Sequence, residues 1–369
     1  MKYILIGFSI FLIILVIIYF FCLKKKINSN QESFQNKKYT KCETSHVKGI
    51  MNDIFKKNNI SKEKNSDWDI YLPCGYNNVE NELKKININN NEQIIFGISG
   101  CDKIVSKNNI WTLISDFYGR KKACTIMPET YVLNNSSDMK KFTVDYNPKQ
   151  KYILKKNIQR KKGLKMTDNL STIINSKNHG YKVVQKYLSD IFLINNRKVN
   201  LRIYIVIKCL NGNVSAYIHP RGKCIYTNKD YDPNGLDFES NITSYNLDLD
   251  IYKINPLTLD DLKKYFQKNK YNYEEFFNKI IDIMKLTIKA SSNQICQLKS
   301  LSGNVMFQLF GIDIIFDNKL NPYLLEFNKG PDMSPKNEID RQIKTKVQED
   351  MFDLVNLIKN TNNEFIQII

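Results

Sequence analysis

Asp313, Glu326 and Asn328 carry oxygen donors at a spacing that suits a divalent cation. They fall on two apolar stretches, Phe310-Gly-Ile-Asp-Ile-Ile-Phe-Asp317 and Pro322-Tyr-Leu-Leu-Glu-Phe-Asn328, separated by the polar Asn318-Lys-Leu-Asn321. This pattern predicts a β-hairpin. Alternation of side chains puts Glu326 and Asn328 on one face, and pairing about the turn sets Asp313 roughly opposite Glu326. Two carboxylates side by side on an apolar hairpin raise each other's pKa unless a cation or protons neutralise them. Magnesium, with phosphate oxygens completing its shell, is the expected resolution. The competing reading is a hairpin whose polar residues simply face water.

Cations suited to phosphates lie upstream. Lys155 ends the apolar run Tyr152-Ile-Leu-Lys155, and Arg160-Lys-Lys-Gly163-Leu164 follows as a loop in which Gly163 would let the backbone approach a phosphate. Val183-Val-Gln185-Lys186-Tyr187-Leu188 reads as a strand running into a hinge, or equally as an amphipathic strand with Val184, Lys186 and Leu188 on one face. Lys198 and Arg202, four apart on a predicted strand, project from the same face and could hold a γ-phosphate. A basic strand face is also expected in so basic a chain.

Taken in order, from Met127-Pro-Glu-Thr-Tyr131 to Val355, these pieces resemble the tubulin tyrosine ligase-like family of ATP-grasp ligases. The resemblance implies an α+β, three-lobed ATP-grasp fold that binds ATP and Mg2+ between two lobes. It assigns Lys155, Arg160, Gly163, Gln185, Lys186, Tyr187, Leu188, Lys198, Asn200 and Thr243 to the nucleotide. Lys198, Arg202 and Glu326 are assigned to catalysis, and Asp313, Glu326 and Asn328 to the metal. The implied reaction activates a carboxylate as an acyl-phosphate and joins it to the amine of a free amino acid, glutamate before glycine or tyrosine. The implied acceptor is a glutamate-rich polypeptide such as a tubulin tail. Several positions depart from the family pattern: Lys161 replaces a loop glycine, Asn200 an aspartate and Ile225 an arginine, while Asn241-Ile-Thr243-Ser244 stands for His-Leu-Thr-Asn. Isoleucine cannot hold an anion, so Arg221, Lys223 or Lys229 would have to substitute. Two alternatives remain open: an ATP-grasp ligase with a small-molecule or other peptide acceptor, and a catalytically impaired ATP-binding module.

The elements that must position these residues span most of a 369-residue chain that is 42% hydrophobic. We read residues 46–369 as one catalytic body. Trp68-Asp-Ile-Tyr-Leu-Pro73, a strand at Ile94–Ile98 and a helical turn or two at Trp111–Tyr118 would form its first lobe. Asn87–Asn91 and Asn134–Ser137 read as loops. Apolar residues from Ile339 to Ile358 recur with helical spacing.

Ahead of the body, Tyr3–Leu23 carries no charged side chain and is long enough to cross a hydrocarbon core of ~30 Å at ~1.5 Å per residue. Lys24, Lys25 and Lys26 follow at once, so residues 1–23 are expected to anchor the chain with its body in the cytosol. No small-x-small cleavage site marks a secretory signal. Residues 24–45, polar and lysine-rich, read as a flexible tether.

Net charge is +18 and the pI about 9.3, which favours acidic partners. Nucleic acid is not expected, since no zinc spacing, aromatic RNA-binding motif or helix-turn-helix signal is present. The eight cysteines are scattered without a Cys-x-x-Cys pair, as expected of reduced thiols. The three histidines form no ligand pair.

Overall fold

A computed structural model describes residues 36–42, 47–158, 163–243, 248–360 and 362–369. The expected anchor and most of the expected tether lie outside the described residues. Among the described residues, no helix is long and apolar enough to cross a membrane.

Two sheets organise the molecule. The larger has ten strands among the described residues: β1 (Lys38–Thr40), β2 (Ser61–Lys62), β3 (Ile70–Tyr71), β4 (Ile94–Phe96), β9 (Leu193–Ile194), β10 (Arg197–Leu210), β11 (Asn213–Tyr226), β12 (Met306–Phe316), β13 (Pro322–Asn328) and β14 (Ile366–Gln367). The smaller is antiparallel, with β5 (Thr130–Val132), β8 (Val183–Lys186), β6 (Tyr152–Lys155) and β7 (Leu164–Thr167) in that spatial order.

Side-chain alternation along the long strands of the larger sheet creates both the core and the site. Odd-numbered β10 residues Val199, Leu201, Ile203, Ile205 and Ile207 join even-numbered β12 residues Phe310, Ile312 and Ile314 in the main core. Helices Lys107–Tyr118, Leu259–Lys268 and Tyr273–Ser291 contribute to that core. On the opposite face, Tyr204, Val206, Phe307 and Leu309 pack in a second core with helices Gly49–Lys57 and Glu338–Leu354. This helical layer does not reach the start of β10. There the same strand face carries Lys198, Asn200 and Arg202, which floor a cavity instead of packing under a helix.

Several expectations change here. The strand expected at Ile94–Ile98 is present as β4 and belongs to the large sheet. Strands of two or three residues are too short to be stable alone, and β4 joins the large sheet by parallel pairing of Ile95 with Met306. The folded body also begins inside the expected tether, because β1 pairs with β2 and β3, and Lys37 and Lys38 pair with Asp69 and Asp67. Ser136 and Ser137 open a helix, Ser136–Asp145, whose Asp138 N–H donates to the Asn135 side chain. Cys42–Cys74 and Cys209–Cys296 are disulfide-paired, with Cα atoms 5.4 and 5.6 Å apart, contrary to the expectation of reduced thiols. The partners lie 32 and 87 residues apart in the chain, so local spacing carries no trace of either pair.

Candidate functional site

The cavity, about 700 Å³, lies between the two sheets. The smaller sheet supplies its roof through Ile153, Lys155, Leu164, Gln185 and Lys186, and the larger supplies its floor from β10 to β13. Lys155, Gln185, Lys186, Tyr187, Leu188, Lys198, Asn200, Arg202, Thr243, Asp313, Glu326 and Asn328 all line it. Arg160, Lys161 and Ser244 lie outside the described residues. Gly163 is not on the wall. Its carbonyl accepts the Lys156 N–H at 2.8 Å, and a Cβ there would meet Ile158 Cγ1 at 2.6 Å, so its smallness serves the Ile158 side chain.

The hairpin brings the three oxygen donors together. Asp313 pairs with Glu326, and Gly311 with Asn328. The register slips just beyond, so Ile314 faces Leu324 and Leu325 is the extra residue of a bulge. Bulges of this kind aim side chains beside functional sites. Asn328 donates its amide N–H to Glu326 Oε1 at 3.2 Å, which leaves its amide oxygen as a further hard donor.

Cations of the chain itself cover both carboxylates. Arg202 holds Asp313 through two contacts, Nε to Oδ1 at 2.6 Å and Nη2 to Oδ2 at 3.2 Å. Lys107 Nζ lies 3.2 Å from Glu326 Oε2 with its side chain only 10% exposed. Burial pushes the Asp313 carboxyl up, Arg202 pulls it back, and Glu326 adds to the rise. For Glu326 burial also opposes ionisation, yet Lys107, Lys155 and Arg202 outweigh it and hold the group at about 2. An ionised Glu326, the amide oxygen of Asn328 and a carboxylate at Asp313 form a donor set that fits magnesium.

The nucleotide end is different in kind. Burial lowers Lys155 to about 8. Burial and then the neighbouring Lys155 lower Lys198 to about 7. Lys198 donates to the Asn241 carbonyl at 2.9 Å and lies 4.4 Å from the Tyr187 ring centroid. Tyr187 O–H in turn meets Asn241 Oδ1 at 3.0 Å, so this loop closes over the lysine. Asn200 donates its amide to Thr243 Oγ1 at 3.0 Å, and its own amide oxygen is buried with no partner among the described residues. Ile153, Leu164, Ile242, Ile315 and Leu325 supply apolar walls for a flat base.

Two of the expected side chains are tied down within the smaller lobe. Lys186 pairs with Glu129 Oε2 at 2.6 Å, so its ammonium is held to β5's flank, and Gln185 donates its amide to Thr130 Oγ1 at 2.8 Å. Of the three cations considered as substitutes at Ile225, only Lys223 lines the cavity. Arg221 is bound twice to Glu364, both contacts at 2.6 Å, and Lys229, its side chain 66% exposed, pairs with Asp237. Lys107, Tyr204, Lys336 and Lys344 also line the wall and were not among the expected residues. Lys107 opens a helix more than two hundred positions before the carboxylate it touches, so no motif links the two.

His219, Asp350 and Glu364 form a separate group in which His219 and Asp350 are buried and Glu364 is partly buried. His219 Nε2 contacts Asp350 at 3.2 Å, its Nδ1 accepts the Arg221 N–H, and Lys346 and Arg221 neutralise the two carboxylates. These internal partners satisfy the cluster as structure, without an ion.

The family model for the tubulin-tyrosine ligase family matches residues 86–364. Mouse tubulin monoglutamylase TTLL4 is 24% identical over 320 residues, 81% of this chain and 26% of the relative. Mouse tubulin polyglutamylase TTLL6 is 24% identical over 192 residues, 47% of this chain and 23% of the relative. Tubulin glycylase 3F of Tetrahymena thermophila is 28% identical over 202 residues, 51% of this chain and 22% of the relative. The chain thus spans about a quarter of the length of these relatives.

Proposed function

The chain belongs to the tubulin-tyrosine ligase family, and from that premise we propose that it is an ATP-dependent carboxylate-amine ligase. It adds an amino acid, glutamate first, to an acidic polypeptide such as a tubulin tail. The observation that carries this reading is the convergence of Lys155, Lys198 and Arg202 with Asp313, Glu326 and Asn328 on one cavity. When bound, magnesium-ATP supplies the phosphoryl group that turns a carboxylate into an acyl-phosphate. The chain's own residues do the rest. Asp313, Glu326 and Asn328 would hold the metal, while Lys155 and Lys198 would hold phosphate oxygens, regaining full charge as they do so. Arg202, already oriented by Asp313, is placed to meet negative charge spreading from the transferring phosphoryl group.

The sequence also supports an anchored enzyme, with residues 1–23 spanning a membrane and the body in the cytosol. Protease protection on intact membranes tests that topology, and a shielded body or a mature chain starting near Lys24 would remove it.

ATP-dependent incorporation of labelled glutamate, glycine and tyrosine into acidic peptides tests the ligase reading. Glutamate incorporation is expected. Nucleotide binding with no incorporation of any amino acid would instead favour the binding module, to which the departures at Lys161, Asn200 and Ile225 already point.

A further inference from the structure

The cavity continues past the metal residues. Lys198, Asn200, Arg202 and Tyr204 follow one another along its wall, and at ~3.3 Å per residue β10 covers roughly 20 Å between the first and the last. Lys198 marks the nucleotide end, and Arg202 with Asp313 marks the middle. Beyond them the wall is made by Tyr204, Lys223, Lys344, Lys336 and Asn337.

At that far end a single carboxylate serves two ammonium groups. Asp340 is fully buried, with Lys223 Nζ 3.0 Å from Oδ1 and Lys344 Nζ 3.0 Å from Oδ2. Asp340 also accepts the Lys336 N–H at 2.8 Å, and Lys344 donates to the Ser334 carbonyl at 2.7 Å. The other charged residues on this wall, Lys336 and Asp332, pair with each other at 3.7 Å. One positive charge is therefore left over. It resides with Lys223 and Lys344, whose side chains are only 15% and 5% exposed. Holding an uncompensated cation in so dry a wall is unfavourable until an anion meets it.

We propose that Lys223 and Lys344, set in place by Asp340, form the seat for the α-carboxylate of the incoming amino acid. The assignment rests on the ligase reading and adds its third substrate. Lys223 is the cross-strand partner of Arg202, and directly paired residues have Cβ atoms about 5 Å apart. An α-amino acid carries its carboxylate one carbon from its amine. Seated on Lys223, it reaches back toward the Arg202–Asp313 centre with the amine leading.

The test is glutamate binding by calorimetry in the presence of magnesium and a non-hydrolysable ATP analogue, with glutamate α-amide as the comparison ligand. The wild-type chain should bind glutamate and discriminate against the α-amide, and Lys223→Gln should lose roughly 10- to 100-fold in glutamate affinity, the magnitude of one charge-assisted hydrogen bond. In that variant the two ligands should bind alike, while affinity for the nucleotide analogue and for an acidic peptide stays unchanged. Lys223→Arg should restore discrimination. Lys223→Gln leaves Asp340 paired with Lys344, and thermal melting reports whether it folds. Should it not fold, the wild-type arm still decides, since equal binding of glutamate and its α-amide there overturns the seat. A loss confined to peptide affinity in Lys223→Gln overturns it too. Glutamate binding that obeys these rules without any ligation in the peptide assay would leave the seat standing and remove the ligase reading instead.

Discussion

Charge is buried at both ends of the floor strand, but the two ends accommodate it in opposite ways. At the metal end each carboxylate already has a cation from the chain, Arg202 on Asp313 and Lys107 on Glu326. At the nucleotide end two ammonium groups, Lys155 and Lys198, sit buried side by side. Among the described residues no carboxylate lies within ion-pair distance of either. The first arrangement is close to neutral before any ligand arrives. The second has no direct anionic partner among the described residues. Lys155 feels Glu326 and Asp313 only at longer range, and burial still wins over them, so negative charge from outside favours it, which is the condition a phosphate-binding site should be in before it binds. Substitutions at the two ends should therefore separate function from stability in opposite directions.

The largest effects belong to the metal end. Glu326→Gln removes a metal charge at constant shape, and ATP-dependent labelling should fall by at least about 10²-fold, with a lower melting temperature because Lys107 and Lys155 lose the carboxylate that holds their charge. Arg202→Met should lose turnover by roughly 10³-fold. It should also cost stability on the order of 3 kcal/mol, because Asp313 is left buried and unpaired. Labelling and melting measured together report both losses in each variant. Full activity in Glu326→Gln would remove the metal assignment, and an unchanged melting temperature in Arg202→Met would break the contrast between the ends.

At the nucleotide end the sign of the stability change reverses. Lys198 has a folded value of about 7 against an ordinary 10.5, so the unfolded chain binds more protons between those values and stability falls as pH drops through that window. Lys198→Met should then melt higher than wild type at neutral pH, by an amount on the order of 1–2 kcal/mol that shrinks toward pH 10. It should at the same time lose ATP affinity. In the wild type, phosphates favour the charged lysines, so the KM for ATP should rise between pH 7 and 9 as Lys198 and Lys155 lose their protons. A destabilised Lys198→Met, or a flat ATP profile across that range, would mean the lysines are compensated and the two ends are alike.

What the sequence made legible follows the same division. Alternation along β10 and pairing across the Asp313–Glu326 hairpin are local rules, and they place Lys198, Asn200, Arg202, Glu326 and Asn328 on one surface without knowledge of the rest. Lys223, one of three cations the sequence offered in place of an arginine at Ile225, is picked out only by the assembled sheet, while Lys107 and Lys344 enter the cavity from a helix and the last long helix. Their relation to the site exists only once the sheet is assembled, and in a chain this rich in lysine nothing in their surroundings marks them out. The strand expected at Ile94–Ile98 is present as β4, but β1, β2 and β3 were missed for a related reason. Segments of two or three residues carry no periodicity and acquire their structure from the edge they join. The tether's end was misplaced because Lys38–Thr40 is as polar as the residues before it, and only Asp67 and Asp69 opposite reveal why it is ordered.

The smallest expected effect sharpens the comparison by setting the interior against the exterior. Inside the cavity, cations lie within a few ångströms of the groups they would hold, too close for salt to intervene. Outside, a net charge of +18 is spread over exposed lysines, whose attraction for an acidic chain is screened beyond about 8 Å at physiological ionic strength. Raising salt should therefore increase the KM for a glutamate-rich acceptor by several-fold while the KM for ATP changes little. The difference should persist in Ile225→Arg, which adds a cation to the cavity wall and not to the exterior. Steady-state kinetics across a salt series measure both constants on one preparation. An acceptor KM indifferent to salt would count against an acidic polypeptide and toward a small-molecule acceptor held inside the cavity. An ATP KM that climbed in step with it would show that the buried lysines are not as enclosed as their depressed values imply.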